Sequence, residues 1–424
     1  MAQRTISPAG GNFGSASAWV EGLVPTSSDN VVGITTSGSI TMNASYTIQR
    51  IDLTSYSATW SYATRTLTLG LLNGSNIFGV NTKTDSTGLL FFGNVSANLT
   101  HLGTYSIGNL SSNATNGIIT INSDVYVNDV VNQNVGVRWN GPTRTIYVRG
   151  NFRNNAETST TQLVASPQNF SGSVLVDLIG EGYISTNLGD GSNPGRLRIS
   201  GSYSSRFNPF RVLQNTTLEV ATAANVSNLD LTFWNTNNGT GVFTASISSP
   251  PRSVLVYQTA KTVQGSTDLN LTSTLVANNF GSYPLLQSNV TASFYDNIRF
   301  LGTGGFSFSN FSLYPTFSLI QAQGLQPYRS PNIQLAPGSI YTIGRFQAIG
   351  NADDRSTISS SSPGTQSTIN ITGTNAVVTN YNFTDITATG KTIYALNSTL
   401  SNTTNIKATA SIDNVNPTAF AFVS

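Results

Sequence analysis

Short stretches in which apolar residues alternate with polar ones recur along nearly the whole of this 424-residue chain. Ile118-Ile119-Thr120-Ile121, Thr145-Ile146-Tyr147-Val148-Arg149, Ser173-Val174-Leu175-Val176-Asp177-Leu178 and Gly195-Arg196-Leu197-Arg198-Ile199 are examples from the first half. Ile298-Arg299-Phe300-Leu301, Ser339-Ile340-Tyr341-Thr342-Ile343 and Ser367-Thr368-Ile369-Asn370-Ile371 follow in the second. Each is bounded by Gly, Asn, Ser or Pro. A period of two sends alternate side chains to opposite faces of an extended strand, so one face of each stretch asks to be buried. No stretch has apolar residues at i, i+3, i+4 and i+7 backed by a charged face. The chain is predicted to be all-β.

Composition narrows the kind of β structure. Only 9% of residues are charged, against about 25% in an ordinary soluble domain. Asn, Thr, Ser and Gly take their place, which suits a long β surface of hydroxyls and amides. Twenty-one Phe, 16 Tyr and 4 Trp supply a core that a disordered polar tract would lack. No apolar run approaches the roughly 18 residues of a spanning helix, so membrane insertion is not expected. A net charge of +2 is too weak a field for nucleic acid as a main partner. The absence of cysteine removes disulfides and thiolate metal sites. Residues 1–8 contain no apolar signal core, so Sec export is not expected.

Two architectures fit such a series. Tandem β-sandwiches would join their strands by frequent hairpins. A right-handed parallel β-helix would stack coils of roughly 20 to 30 residues around one continuous core. The β-helix is favoured because no linker-like break divides 30–350 and Asn-Gly hairpin signals do not dominate. No strict period can be read. Residues 1–30 are expected to form an N-terminal cap or docking segment, with Phe13 and Trp19 closing the end of the core and Pro25 blocking strand pairing. Residues 31–350 would form the β-helix body, and 351–424 the last coils with a terminal apolar segment around 417–423. The Ser-rich stretch 351–368 reads as a long loop.

Two parts of the chain carry a family resemblance. The first is the opening segment. The second runs through Leu335-Ala336-Pro337-Gly338, Tyr341-Thr342-Ile343, Phe346, Ile358 to Thr368, Tyr381 and Phe383-Thr384-Asp385-Ile386. They resemble right-handed parallel β-helix proteins of phage virions (tail fibres, tailspikes and appendages) and related bacterial surface proteins. Where that group carries Trp, this chain has Phe13. The resemblance implies a virion structural protein, a fibre, spike or decoration subunit, made in the host cytoplasm and acting as a rigid adhesive rod. It implies other virion proteins as partners, self-association (for instance as a trimer), a host surface glycan as ligand, and no cofactor. The alternatives are a polysaccharide-degrading tailspike enzyme and a bacterial adhesin or extracellular filament subunit.

Candidate chemistry is sparse. Glycoside hydrolysis needs two carboxyls about 5 to 10 Å apart. Asp124 with Asp129, Asp177 with Glu181, and Asp353 with Asp354 are the pairs closest in sequence. Asp177 and Glu181 share a parity, but Gly180 between them signals a turn, and a solvated surface pair is expected. His101 is the one histidine. It cannot make an ordinary zinc centre alone, no nucleophile elbow accompanies it, and a surface or turn position is expected. No catalytic or metal-binding residue is assigned. The arginines say more. Eight of the 20 basic residues lie between 138 and 211, with only Glu157, Asp177, Glu181 and Asp190 as acids. Arg138, Trp139, Arg144, Tyr147, Arg149, Arg196 and Arg198 are candidates for gripping an acidic glycan through guanidinium forks and rings. The favoured reading is that they bridge to a neighbouring subunit or brace their own coil edges. Phe300, Phe306, Phe308, Phe311, Tyr314 and Phe317 are expected to stack in the core.

Overall fold

The structure, a computed structural model, describes residues 1–71, 74–85, 87–93, 96–112, 118–132, 137–154, 169–189, 195–206, 210–235, 241–249, 251–258, 265–271, 275–277, 280–282, 296–301, 306–313, 332–350, 352, 355–373 and 376–409. The chain is an all-β parallel solenoid. It divides into two compact units, Met1–Asn208 and Pro209–Ser424. Among the described residues the one helical element is a 3-10 turn at Ala16–Ala18, and no helix is long and apolar enough to cross a membrane.

In the first unit the chain visits three faces in turn. The first face stacks Gln3–Thr5, Asn30–Val32, Arg50–Leu53, Gly74–Phe78, Ala97–His101, Ile118–Ile121, Val137–Asn140, Asn169–Gly172 and Asn187–Leu188, each parallel to the next. The second face begins with Gly11–Asn12, Ile40–Thr41, Thr59–Ser61 and Lys83–Thr84. It includes Val125–Val127, Thr145–Val148, Leu175–Leu178 and Arg196–Ile199. The third face runs from Tyr46–Ile48 through Thr66–Leu69, Leu89–Phe92, Asn109–Ser112, Val130–Asn132, Phe152–Asn154 and Glu181–Ser185 to Ser202–Ser205. Leu110 pairs with Val130, 20 residues on, whereas Val137 pairs with Phe170, 33 residues on. Coil length therefore varies, and no strict period shows in the sequence.

Alternation fills the core. Val125, Ile146, Val176 and Leu197 lie in register on successive coils, as do Val127, Val148, Leu178 and Ile199, and all are buried. Each such side chain contributes roughly 1.5 to 3 kcal/mol on leaving water. Sandwich hairpins are ruled out for these strands, because every partner is parallel and about a coil away.

Corners need a different device, because a turning backbone leaves its amides without ladder partners. Side-chain oxygens of the adjacent coil receive them. The Asp129 amide donates to Asn109 Oδ1 (3.1 Å), the Asn151 amide to Asp129 Oδ1 (2.8 Å), and the Tyr183 amide to Asn151 Oδ1 (3.0 Å). The same happens where Ile118 meets Ser96 Oγ (3.0 Å) and Thr66 meets Ser45 Oγ (3.1 Å). Much of the Asn, Asp and Ser content thus extends the hydrogen-bond ladder around the corners.

The second unit is built likewise. One ladder runs Phe210–Leu213, Asp230–Asn235, Ser253–Gln258, Phe280–Ser282, Phe306–Leu313, Ile340–Ile349, Ala376–Thr379, Ile393–Leu396 and Ile406–Thr409. Another runs Thr217–Val220, Gly241–Ile247, Gly265–Leu271, Asp296–Leu301, Ile333–Leu335, Ser356–Ser360, Tyr381–Gly390 and Leu400–Thr404. The stretch 351–368, expected as a loop, contains the strand Ser356–Ser360. Ser356, Ile358 and Ser360 point inward there, because serine is small enough to sit inside the coil. In the last coils Asn380 stacks on Asn397 and Asp385 on Asn402, 17 residues apart. All four have positive φ, between +46° and +60°. Asn and Asp tolerate that left-handed corner better than other side chains. Phe300 lies in Asp296–Leu301, and Phe306, Phe308 and Phe311 lie in Phe306–Leu313, in register with Tyr341, Ile343 and Phe346. Tyr314, Phe317, Asp353, Asp354, Glu157, Asp190 and 417–423 lie outside the described residues.

Candidate functional surface of the first unit

The second face presents its outward side chains in rows. Val125 and Val127 face the core, so Tyr126 faces out; the same parity turns Tyr147 out between Ile146 and Val148. Register places Tyr126 against Tyr147, Tyr147 against Asp177, and Asp177 against Arg198. The two tyrosine rings stack with centroids 4.6 Å apart and 18° between planes. Arg149 lays its guanidinium 5.8 Å from the Tyr126 ring centre and donates to the Thr104 carbonyl (3.3 Å). Lys83 sits 5.5 Å over the ring of Tyr105, which is 46% exposed. Burial raises the Tyr126 phenol above its ordinary value, Tyr147 and Asp124 add to this, and Arg149 opposes it.

The predicted cluster separates into three groups. Arg196 donates to the carbonyls of Ser173 (3.1 Å) and Pro142 (3.3 Å), and Arg198 pairs with Asp177 at 3.7 Å. These two, with Arg149, tie their own coil to earlier ones. Arg138 and Arg144 are exposed, and among the described residues neither guanidinium has a partner. Trp139 is 1% exposed and lies inside the coil, so it takes no part in the surface. Sequence reasoning missed Tyr126, Tyr105 and Lys83. Tyr126 and Lys83 take the outward positions of their strands, and Tyr105 lies in a bend; their neighbours become visible only once the coils are in register.

The carboxylates are largely engaged within the fold. Asp177, expected on the surface, is 5% exposed and accepts from Ser200 Oγ (2.8 Å) as well as pairing with Arg198. Glu181 is exposed on the third face, beyond the corner at Gly180. A Cβ at Gly180 would lie 2.0 Å from the Arg149 carbonyl oxygen, so glycine alone fits this corner. Asp124 receives the Thr145 amide (2.9 Å), and Asp129 receives Asn151 and pairs with Arg153 (3.6 Å). Burial would raise Asp29 and Asp85. Hydrogen bonds from Thr26 and Arg4, and from Ser61, Ala63 and Gly88, outweigh it and hold both carboxyls below their ordinary range. Such groups are poor proton donors near neutrality.

His101 is 3% exposed, a correction to its expected surface position. Ala97, Leu99 and His101 share the inward parity of their strand. Its ring meets Tyr126 edge-on at 6.2 Å, and among the described residues neither ring nitrogen has a hydrogen-bond partner. Burial pushes its pKa down to about 4. Among the described residues, no group of three His, Cys, Asp or Glu side chains could hold a metal ion.

At the start of the unit, Phe13 and Trp19 are buried edge-to-face at 4.9 Å, and Trp19 Nε1 donates to the Phe13 carbonyl (2.8 Å). Phe13 also meets Tyr46 at 4.2 Å and Trp60 at 6.0 Å. Pro25 is buried just before the turn in which Asp29 Oδ2 holds the Thr26 amide and hydroxyl, both at 3.0 Å. No protein-family model, no curated protein and no solved structure matches this chain.

Proposed function

We propose that this protein is a structural component of a phage virion, a fibre, spike, appendage or decoration subunit whose job is mechanical and adhesive. The observation that carries the mechanical part is where the polar groups go. Asn, Asp, Ser and Arg side chains that elsewhere would form a site instead join one coil to the next. Ties of this kind at the corners resist bending and fraying. The virion assignment rests on the resemblance of the two ends of the chain to phage β-helix proteins. Labelling the protein on intact particles and imaging them tests it: label at a tail or capsid position is expected. Label confined to a bacterial surface, with none on particles, would favour the adhesin instead.

The reading is non-enzymatic. Asp177 serves the fold through Arg198 and Ser200, so Asp177→Asn should cost stability and leave no glycan-cleaving activity to lose. Reducing-sugar release by the intact protein, abolished in Asp177→Asn while the melt stays cooperative, would replace it with the tailspike enzyme. The adhesive part is supported by the exposed Tyr105 and Lys83 and by Arg138 and Arg144, which are exposed and without a partner among the described residues; together they offer rings and cations to an acidic host glycan.

A further inference from the structure

A parallel stack has two raw ends, because its first and last strands each have one edge with no neighbour. In the first unit the strand Gln3–Thr5 pairs on one side with Asn30–Val32. The Asn30 amide donates to Ala2 and the Ile6 amide to Val32, so the even-numbered backbone groups face the next coil. Those of Gln3 and Thr5, and the Ser7 amide, face the other way, where a further strand could add.

That outer edge is occupied by the chain itself. After the 3-10 turn at Ala16–Ala18, residues 18–20 return antiparallel along it. Ile6 and Trp19 form an antiparallel bridge. The Ser7 amide donates to the Ala18 carbonyl (2.8 Å), and the Val20 amide donates to the Thr5 carbonyl (2.9 Å). The Thr5 amide has no backbone acceptor in reach of this short return. Glu21 supplies one, with its two carboxylate oxygens at 2.9 and 3.1 Å from that nitrogen. The Ser7 carbonyl is taken by the amides of Gly10 (3.0 Å) and Gly38 (2.9 Å). Trp19, held by Phe13, anchors the return from inside.

We propose that residues 18–21 are an edge lock, which ends the ladder at Gln3–Thr5 and bars strand-to-strand association there. The segment is therefore a terminator rather than a docking arm. A partner meeting residues 5–7 must grip side chains, because they offer it no free amide or carbonyl. The lock does not depend on the virion reading.

The test uses the full chain with Trp19→Ala and Glu21→Ala combined. Sedimentation equilibrium should show its mean mass rising by about twofold or more across a tenfold concentration range, while the wild type does not change. Adding Thr5→Pro, which removes the freed amide, should return the mass to the wild-type value. A double variant with a native circular dichroism spectrum that keeps wild-type mass overturns the proposal. So does association that persists with Thr5→Pro, since it would then come from exposed core. Should the double variant not fold, hydrogen exchange of the Thr5 amide in Glu21→Ala decides. It should be about tenfold faster than in the wild type or Glu21→Gln, which keeps an acceptor oxygen. Equal rates would overturn the lock.

Discussion

Inward parity dictates what a residue must endure, and His101 endures the most. It occupies a core position in which, among the described residues, its ring has no hydrogen-bond partner, so its neutral form alone is tolerated. Its folded pKa of about 4 lies below the 6.5 of an unfolded histidine. Between those values the unfolded chain binds the extra proton. Stability is thus fully present above pH 6.5 and falls as the pH drops toward 4, by up to about 3 kcal/mol. Urea melts at pH 7, 5.5 and 4 should show this loss, and His101→Phe should flatten it. Asp29 and Asp85 act lower on the scale, since their folded pKa values are depressed. Their contribution is present above the unfolded carboxyl value near 3.8 and is lost only as the pH falls below it. A second strained residue is Thr64. Ala63 and Thr64 have φ of +47° and +67° in a turn closed by the Arg65 amide on the Tyr62 carbonyl (2.8 Å). Asn-Gly is the usual solution for such a turn. Asp85 holds this one through the Ala63 amide (2.9 Å). Thr64→Gly should raise stability by about 1 kcal/mol, seen as a higher melting temperature. An unchanged or lower one would show that the turn carries no strain.

At the scale of elements, the corners decide stability as much as the strands do. Asn151 receives the Tyr183 amide and reaches Asp129 Oδ2 with its own amide group (3.3 Å), linking three successive coils. Asn151→Ala should cost about 1 to 3 kcal/mol, because it leaves a half-buried amide without an acceptor. Thr47→Ala, on an exposed outward position, should stay within about 0.5 kcal/mol. Chemical denaturation of the two variants side by side checks the contrast; equal losses would remove the corner relay as a stabilising device. The strands were legible in the sequence as alternation: Val125 and Val127, or Ile146 and Val148, announce an inward face unaided. The relay was not, because Asn109, Asp129 and Asn151 look like loop residues until each is set beside the next coil. The strand Ser356–Ser360 was missed for a related reason. Its inward serines do not announce a core, and only burial under neighbouring coils makes them one.

For the whole molecule, the low charge and the ladder of polar ties belong to one solution. Arginine and aspartate are few, and where they pair they commonly link adjacent coils, as in Arg4 with Asp29, Arg153 with Asp129, Arg198 with Asp177 and Arg252 with Asp230. The proposed mechanical role needs no more than this, and labelled particles remain its direct check. What the sequence determined by itself was the all-β class and the inward and outward parity of the strands in which apolar residues alternate. Those properties are local, set by neighbours two residues apart and by composition. Register was decided only in the tertiary structure. Coils of unequal length put Tyr126 on Tyr147, Arg149 on the Thr104 carbonyl, and Glu21 on the Thr5 amide. Spacing along the chain cannot fix these pairings, because each depends on how many residues the intervening corners consume before the next strand rejoins its ladder.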